Sequence, residues 1–410
     1  VIKIDSGEKP GYDSPVIRSF KYRLQPNHTQ RRALDSWLPL TRELYNAGLQ
    51  ERRDAWKKQR VSLSAYDQMA ELPAVREGRE DVAAVPVVVL RGALRRLDRA
   101  FHGFFRRCKT GERPGYPRFR GRDRWNTIEI DDLGGRNPLT PDGRRVRLPF
   151  IGPVKLELHR PIEGTPKAMR LTRDAADRWY VVLCCVDVPA RPLPRSERDV
   201  GVDVGLLHFA ATSDGEFFAN PRPLKAAQAK LRRAARRLAR RKKGSHRRRV
   251  AARNLARHHE HVANVRREHH IGVARSLVHR HGTIFVEDLN VKGLARGRLA
   301  GSVNDAAWSG FLHWLRVKAE EAGREVVEVD PRGTSQVCSG CGIVVQKDLG
   351  VRVHRCPDCG LTVDRDVNAA RNILALGRSA RRAVPDARAP RRPAKISRTS
   401  DRITPSRSQS

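Results

Sequence analysis

The spacing of four cysteines constrains this chain more than any other feature. Cys338 and Cys341 form a C-x2-C pair, Cys356 and Cys359 form another, and fourteen residues lie between the pairs. Each pair makes a turn whose two thiolates point at one centre, and two such turns close a tetrahedral zinc site. The gap is one residue below the usual range for such sites. Gly340, Gly342 and Gly360 suit the tight knuckles. A redox dithiol pair or an iron–sulfur cluster is the alternative use of the same residues. Four thiolates leave no open coordination position, so a zinc here holds the fold and hydrolyses nothing. Cys108, Cys184 and Cys185 bring the total to seven. An odd total with two adjacent cysteines argues against a secreted disulfide framework.

Charge sets the next limit. Lys and Arg number 82 against 45 Asp and Glu, a net charge of +37 over 410 residues. Solvated faces alone do not need that excess, so a polyanion is the natural partner, with nucleic acid first and an anionic membrane as the rival. No run of eighteen apolar residues and no signal peptide is visible. The expected setting is therefore cytoplasmic, associated with the nucleoid and without a membrane partner. The densest arginine clusters lie between Leu224 and Arg280, where few acids stand beside them. Pairing at i,i+4 does not explain them, and a phosphate backbone does. Arg240, Arg241, Lys242 and Lys243 are the core of this region, just before a break at Gly244-Ser245. His258, His259, His269 and His270 read as surface residues, not ligands.

Taken in order, residues 1–15 lack periodicity and read as a flexible leader, and the missing Met suggests trimming. Val16 to Leu24 alternates as a strand. Helical periodicity starts near Thr29 and runs to about Arg107, with interruptions expected at Pro39, Pro73 and Pro86. The helix from Val87 to Phe105 turns Leu90, Leu94, Leu97, Phe101 and Phe104 inward and carries Arg91, Arg95, Arg96 and Arg99 elsewhere. The stretch RPGYPRFRGR, 113–122, places Tyr116, Arg118, Phe119 and Arg120 together. Such aromatics can stack on bases while guanidinium groups hold phosphates, or simply pack the loop on a neighbour. Short strands follow from Asn126 to Val188, and the first strand is expected to complete their sheet. Pro189 to Arg198 reads as a linker.

Beyond the linker, Val-Gly-Val-Asp-Val-Gly from Val200 to Gly205 reads as a buried strand that carries Asp203 to its end. Gly201 and Gly205 are expected to let a large ligand approach. A hairpin follows, turning at Ser213-Asp214-Gly215. Two helices come next, the second with Val262, Val265, Val273 and Leu277 as its buried stripe. The strand Thr283 to Val286 ends in Glu287-Asp288. The helix from Trp308 to Glu321 stops at Gly323, and Val326 to Val329 is another strand. Asp364-Arg365-Asp366 opens a helix through Leu376. From Arg378 the composition predicts a disordered basic tail.

Three acids separated in sequence thus stand at the ends of elements: Asp203, Glu287 and Asp366. Phosphodiester hydrolysis needs a neutralised phosphate and an activated water, and two Mg²⁺ ions about 3.5–4 Å apart provide both. Hard cations want such carboxylates. Asp288 and Asp364 are near-duplicates, and Asp364 could instead cap its helix.

The motifs GVDVG, VEDLN, TSQVCSGCG, CPDCG and DRDVNAARNI, in this order, resemble the TnpB proteins of bacterial transposons. YRLQPNHTQ and PGYPRFRGR are similar to TnpB as well. The resemblance spans about residues 16–377 and implies an RNA-guided DNA endonuclease related to compact type V CRISPR effectors. The implied fold is α/β and multidomain. A β-barrel-like wedge domain (16–26 and 113–190) holds an inserted helical recognition domain (27–112). An RNase H-like RuvC nuclease (199–334 and 361–377) then holds an inserted zinc-ribbon module (335–360). The implied catalytic acids are Asp203, Glu287 and Asp366, binding two Mg²⁺, with one structural Zn²⁺ on the four cysteines. The implied partners are a guide RNA and double-stranded target DNA, with a monomer or homodimer on each RNA. A short flanking DNA motif is expected to be read by protein near Val87 to Arg95, with Arg91 as a candidate base reader. A guided repressor without cleavage and an RNA-independent transposase are the alternatives.

Overall fold

The computed structural model describes residues 16–383, apart from 298 and 349. The leader over 1–15 and the tail from 384 onward lie outside the described residues.

Strand β1 (Val16–Gln25) buries Phe20, Tyr22 and Leu24 and exposes Lys21 and Arg23 between them, as alternation requires. Asn27 then caps α1 (His28–Gln59): its side chain accepts from Gln30 N–H, and the Gln30 side chain accepts in return from Asn27 N–H. Pro39 does not interrupt this helix, contrary to the sequence expectation. The lost backbone bond is outweighed by tertiary burial, since Leu34, Trp37, Leu38, Tyr45 and Leu49 all lie in the core. Three short helices follow, α2 (Ala65–Ala70), α3 (Leu72–Glu77) and α4 (Glu80–Ala83), then the long α5 (Val87–Lys109) behind Pro86. Strands β2 (Thr127–Ile130), β3 (Arg145–Leu148), β4 (Gly152–Glu157), β5 (Thr165–Arg173) and β6 (Trp179–Val188) complete a six-stranded antiparallel half-barrel. Its order is β2-β5-β6-β1-β4-β3, so the first strand joins this sheet, as expected, and does so between β6 and β4.

The helices and this sheet share one hydrophobic core. Gly92 of α5 lies so close to β2 that a Cβ there would fall 2.0 Å from the Glu129 carbonyl oxygen. Trp125 donates its indole N–H to Thr41 Oγ1 at 3.0 Å. Two of the four arginines expected on the free face of α5 instead fasten it to the sheet. The Arg96 guanidinium lies 4.2 Å over the Trp125 ring and donates to the Thr127 carbonyl, and Arg99 pairs with Asp131 and Glu129. Arg91 remains exposed and Arg95 half-buried.

The second half is organised on β7 (Asp199–Val204), β8 (His208–Thr212) and β9 (Phe217–Ala219), an antiparallel meander. The helices α6 (Pro223–Ala239) and α7 (His246–Arg280) lead to β10 (Thr283–Glu287). Then come α8 (Val291–Leu294), α9 (Ala300–Ala306), α10 (Trp308–Ala322) and β11 (Glu325–Val329). The small hairpin β12 (Val353–Arg355) and β13 (Thr362–Asp364) precedes the last helix, α11 (Arg365–Ala383). The sheet order is β11-β10-β7-β8-β9, with β7, β10 and β11 parallel, which is the RNase H-like arrangement. Every residue of β10 is buried, as a parallel strand covered on both faces demands. Asp305 caps α6 from a distance: its carboxylate accepts from Leu224 and Lys225 N–H and pairs with Arg266 of α7. No helix among the described residues is long and apolar enough to cross a membrane.

Three expectations change here. The last helix continues to Ala383, past the start of the expected tail, because Arg378 and Arg381 reach Asp199 at 3.0 and 3.9 Å. Val265 is 37% exposed and leaves the α7 stripe, which is made by Val262, Val273, Ala274, Leu277 and Val278. His270 is buried, not a surface residue: its ring stacks on Phe209 and its Nε2 lies 2.9 Å from the Ala306 carbonyl.

Burial holds the His270 ring neutral, with its pKa pushed down to about 4, and the charges of His269 and Arg266 act the same way. In the unfolded chain the ring takes up its proton near 6.5. Between those values the unfolded state binds more protons, so this stability is complete above pH 6.5 and is lost as pH falls toward 4. The shift corresponds to at most about 3 kcal/mol. The denaturation midpoint is expected to drop between pH 7 and pH 5, and the drop should flatten in His270→Gln. An unchanged slope in that variant would assign the acid lability elsewhere.

Candidate metal centres and nucleic-acid surface

The acids converge because of strand register. Val202 of β7 pairs with Val286 of β10, and the next residue on each strand is Asp203 and Glu287. Parallel pairing therefore sets two carboxylates side by side at the C-terminal edge of the sheet, where open α/β sheets place ligands. Helix α11 crosses the same strand. A Cβ on Gly201 would lie 2.0 Å from the Ala370 carbonyl oxygen and 2.7 Å from Leu374 N. Gly201 thus admits a helix, not the large ligand expected of it. A Cβ on Gly205 would lie 3.6 Å from Asp366 Oδ2, so the third carboxylate faces the exit of β7. The near-duplicates separate cleanly: Asp364 Oδ1 accepts from Asp366 N–H at 2.8 Å as a helix cap, and Asp288 is exposed while Glu287 is buried.

The three groups resist ionising together. Burial, then the charges of Glu287 and Asp366, push the Asp203 carboxyl well above the usual carboxylate range. Burial raises Glu287, partly offset by the Thr334 hydroxyl that donates to it. Burial and then Asp364 raise Asp366. Hard divalent cations fit this donor set, because they supply the charge the cluster lacks. The acids are spaced more widely than the cysteines. Among the described residues, the four cysteine sulfurs are the one group of three or more potential ligand atoms within 4.8 Å of one another.

That sulfur cluster fits zinc. Cys338 and Cys359 sulfurs are 3.6 Å apart, and those of Cys341 and Cys356 are 3.5 Å apart. A tetrahedron with Zn–S bonds of about 2.3 Å has edges close to 3.8 Å. No disulfide joins any cysteine. His354, fully buried, packs beside the cluster and pairs through Nδ1 with Lys347.

The basic residues form two surfaces. Arg240, Arg241, Lys242 and Lys243 are all exposed in the turn between α6 and α7. Arg53, Arg113, Tyr116, Arg118 and Phe119 line a cleft of about 620 Å³ with no carboxylate in its wall. Phe119 is 47% exposed with the Arg53 guanidinium 5.4 Å from its ring centre, whereas Tyr116 packs edge-on against Phe101 and Phe104. Arg120 turns back toward Tyr45, and its backbone bonds Asn46. Tyr116 therefore both packs and shows a face, and Arg120 serves the core more than the cleft.

Sequence reading missed three polar side chains near the acids. Thr334 bonds Glu287, and Asn368 and Asn372 of α11 bond the loop before the first zinc knuckle. The signal was present in DRDVNAARN, whose two asparagines are four apart and so share one helix face.

The described site is that of an RNase H-like fold carrying a cysteine-ligated ribbon, and comparison with known proteins gives its relatives. Residues 183–298 match the OrfB_IS605 family, described as "Probable transposase", residues 308–373 match "Cas12f1-like, TNB domain", and residues 14–60 match an OrfB_IS605 "Helix-turn-helix domain". In this chain the last segment is β1 followed by α1, one strand and one continuous helix. A Streptomyces pristinaespiralis protein named "Putative RNA-guided DNA endonuclease" is 35% identical over 376 residues, covering 89% of this chain and 90% of its own. The Escherichia coli protein "Putative RNA-guided DNA endonuclease InsQ" is 27% identical over 384 residues, covering 88% and 92%. A solved CRISPR-associated mini RNA-guided endonuclease superposes with a TM-score of 0.47 at 10% identity, covering 89% of this chain and 92% of that one. The chain belongs to the TnpB family.

Proposed function

We propose that this protein is an RNA-guided DNA endonuclease whose RuvC centre, Asp203, Glu287 and Asp366, binds two Mg²⁺ ions and cuts phosphodiester bonds. The observation that carries the reading is the register of β7 and β10, which sets Asp203, next to last on β7, beside Glu287, last on β10, both near the start of α11. When bound, the two ions neutralise the phosphate and lower the pKa of an attacking water. The chain's own work is to hold three crowded carboxylates on rigid strands and one helix, where bound cations would offset the charge that burial penalises. Zinc in the ribbon is structural. The exposed Arg240–Lys243 turn and the cleft at Arg53, Arg118 and Phe119 would hold guide RNA and its duplex with target through phosphates and stacking. Exposed Arg91 remains the candidate reader of a flanking motif, and base pairing would read the rest of the target. The bacterial cytoplasm, at the nucleoid, is the matching setting.

The test is to express the protein from its native locus and sequence the RNA that copurifies. One structured RNA ending in a variable guide is expected, and RNA-depleted protein should lose cutting of matched DNA. RNAs sharing a repeat with different spacers would make it a CRISPR effector. No enriched RNA, with cutting retained after nuclease treatment, would favour the RNA-independent transposase and overturn the guided reading.

A further inference from the structure

Glu287 is the one carboxylate of the three that a neutral side chain holds in place. Thr334 is 3% exposed, and its hydroxyl lies within bonding distance of both Glu287 Oε1 and, at 3.0 Å, the Pro331 carbonyl. A hydroxyl has one proton to give, and an ionised carboxylate is the stronger acceptor. Thr334 in turn does not sit on a strand or helix. It lies in the loop between β11 and the first zinc knuckle, a segment whose backbone is held by turns closing on Gly333 and one bridge from Val337 to Val344.

Side chains from α11 tie this loop to the helix. Asn372 Nδ2 donates to the Thr334 carbonyl at 2.8 Å and to the Val337 carbonyl at 2.7 Å. Asn368, fully buried, donates to the same Val337 carbonyl at 2.7 Å and accepts from Ser339 N–H at 2.9 Å. These bonds bracket Cys338, a zinc ligand. The same helix carries Asp366 at its start and lies against Gly201 of the strand that carries Asp203.

We infer that Thr334 is a positioning residue for Glu287, and that Asn368 and Asn372 transmit the position of the zinc knuckle to it. Zinc bound by Cys338 fixes Ser339 and Val337, the asparagines fix the loop to α11, and the loop fixes the Thr334 hydroxyl. The inference rests on the reading of the three acids as the cation site. Groups bonded to a ligating carboxylate typically change metal affinity by about 10- to 100-fold when removed.

The experiment titrates Mn²⁺ into the zinc-loaded full chain by electron paramagnetic resonance, and separately measures the Mg²⁺ half-saturation of guided cleavage. Thr334→Val is expected to weaken Mn²⁺ binding about tenfold and to raise the Mg²⁺ half-saturation by a similar factor. Guide RNA affinity should be unchanged, and Thr334→Ser should restore both readings. Thr334→Ala removes the hydroxyl without the added methyl, and replaces Thr334→Val if that variant does not fold. Asn372→Ala should shift Mn²⁺ affinity in the same direction with its zinc retained. Wild-type Mn²⁺ affinity in Thr334→Val or Thr334→Ala would overturn the inference. Asp203→Asn run alongside separates the two readings: if it loses Mn²⁺ binding while the Thr334 variants do not, the acids stand and the positioning role falls.

Discussion

Asp203→Asn is expected to lower guided single-turnover cleavage by about 10³-fold or more while leaving guide RNA and target affinity unchanged. Each tenfold is about 1.4 kcal/mol of transition-state stabilisation, and residues that act as one catalytic set lose most of it when one member goes. The same substitution makes a second, opposite forecast for stability. Asp203 is pushed well above its usual range by burial, Glu287 and Asp366. A neutral amide relieves that crowding, so the zinc-loaded variant should melt higher than the zinc-loaded parent in Mg²⁺-free buffer. Mg²⁺ should raise the melting temperature of the parent and leave the variant nearly unmoved. Differential scanning fluorimetry with and without Mg²⁺ reads both. Retained cleavage by a clean preparation of the variant would remove Asp203 from the chemistry.

Zinc removal should have the other large effect. The ribbon over 337–364 has one short hairpin and a few loop bonds among its described residues, too little to fold alone. In small zinc modules metal binding supplies on the order of 10 kcal/mol of folding free energy. Cys356→Ala, or treatment with a strong chelator followed by excess Mg²⁺, is therefore expected to abolish cleavage. Guide RNA binding, proposed above for the Arg53–Phe119 cleft and the α6–α7 turn, should persist. Metal analysis should give close to one zinc per chain in the parent and none in the variant. A zinc-free variant that cuts at the parental rate would show that the ribbon and the acids are independent.

The legibility of the chain followed the period of its side chains. β6 and α10 were readable because their burial repeats every two or every three to four residues, and β10 because a buried parallel strand is apolar throughout. Asp203, Glu287 and Asp366 were readable as acids at element ends, and strand register then sets Asp203 beside Glu287. Pro39 misled because the core that holds α1 is assembled from residues far along the chain. Arg96 and Arg99 misled because charge on a helix face says nothing of the Trp125 and Asp131 waiting opposite. Gly201 misled because a bare backbone admits a helix as readily as a ligand. Thr334 was invisible because its partner is 47 residues earlier.

The placement of α11 also orders the manufacture of the enzyme. Asp366 and the two asparagines arrive with the last described helix, whereas Arg53, Phe119 and the Arg240–Lys243 turn emerge from the ribosome long before. A nascent chain can present its basic surfaces while its cutting edge is still untranslated. Any message truncated ahead of that helix would yield a chain that keeps its basic surfaces and lacks Asp366, Asn368 and Asn372.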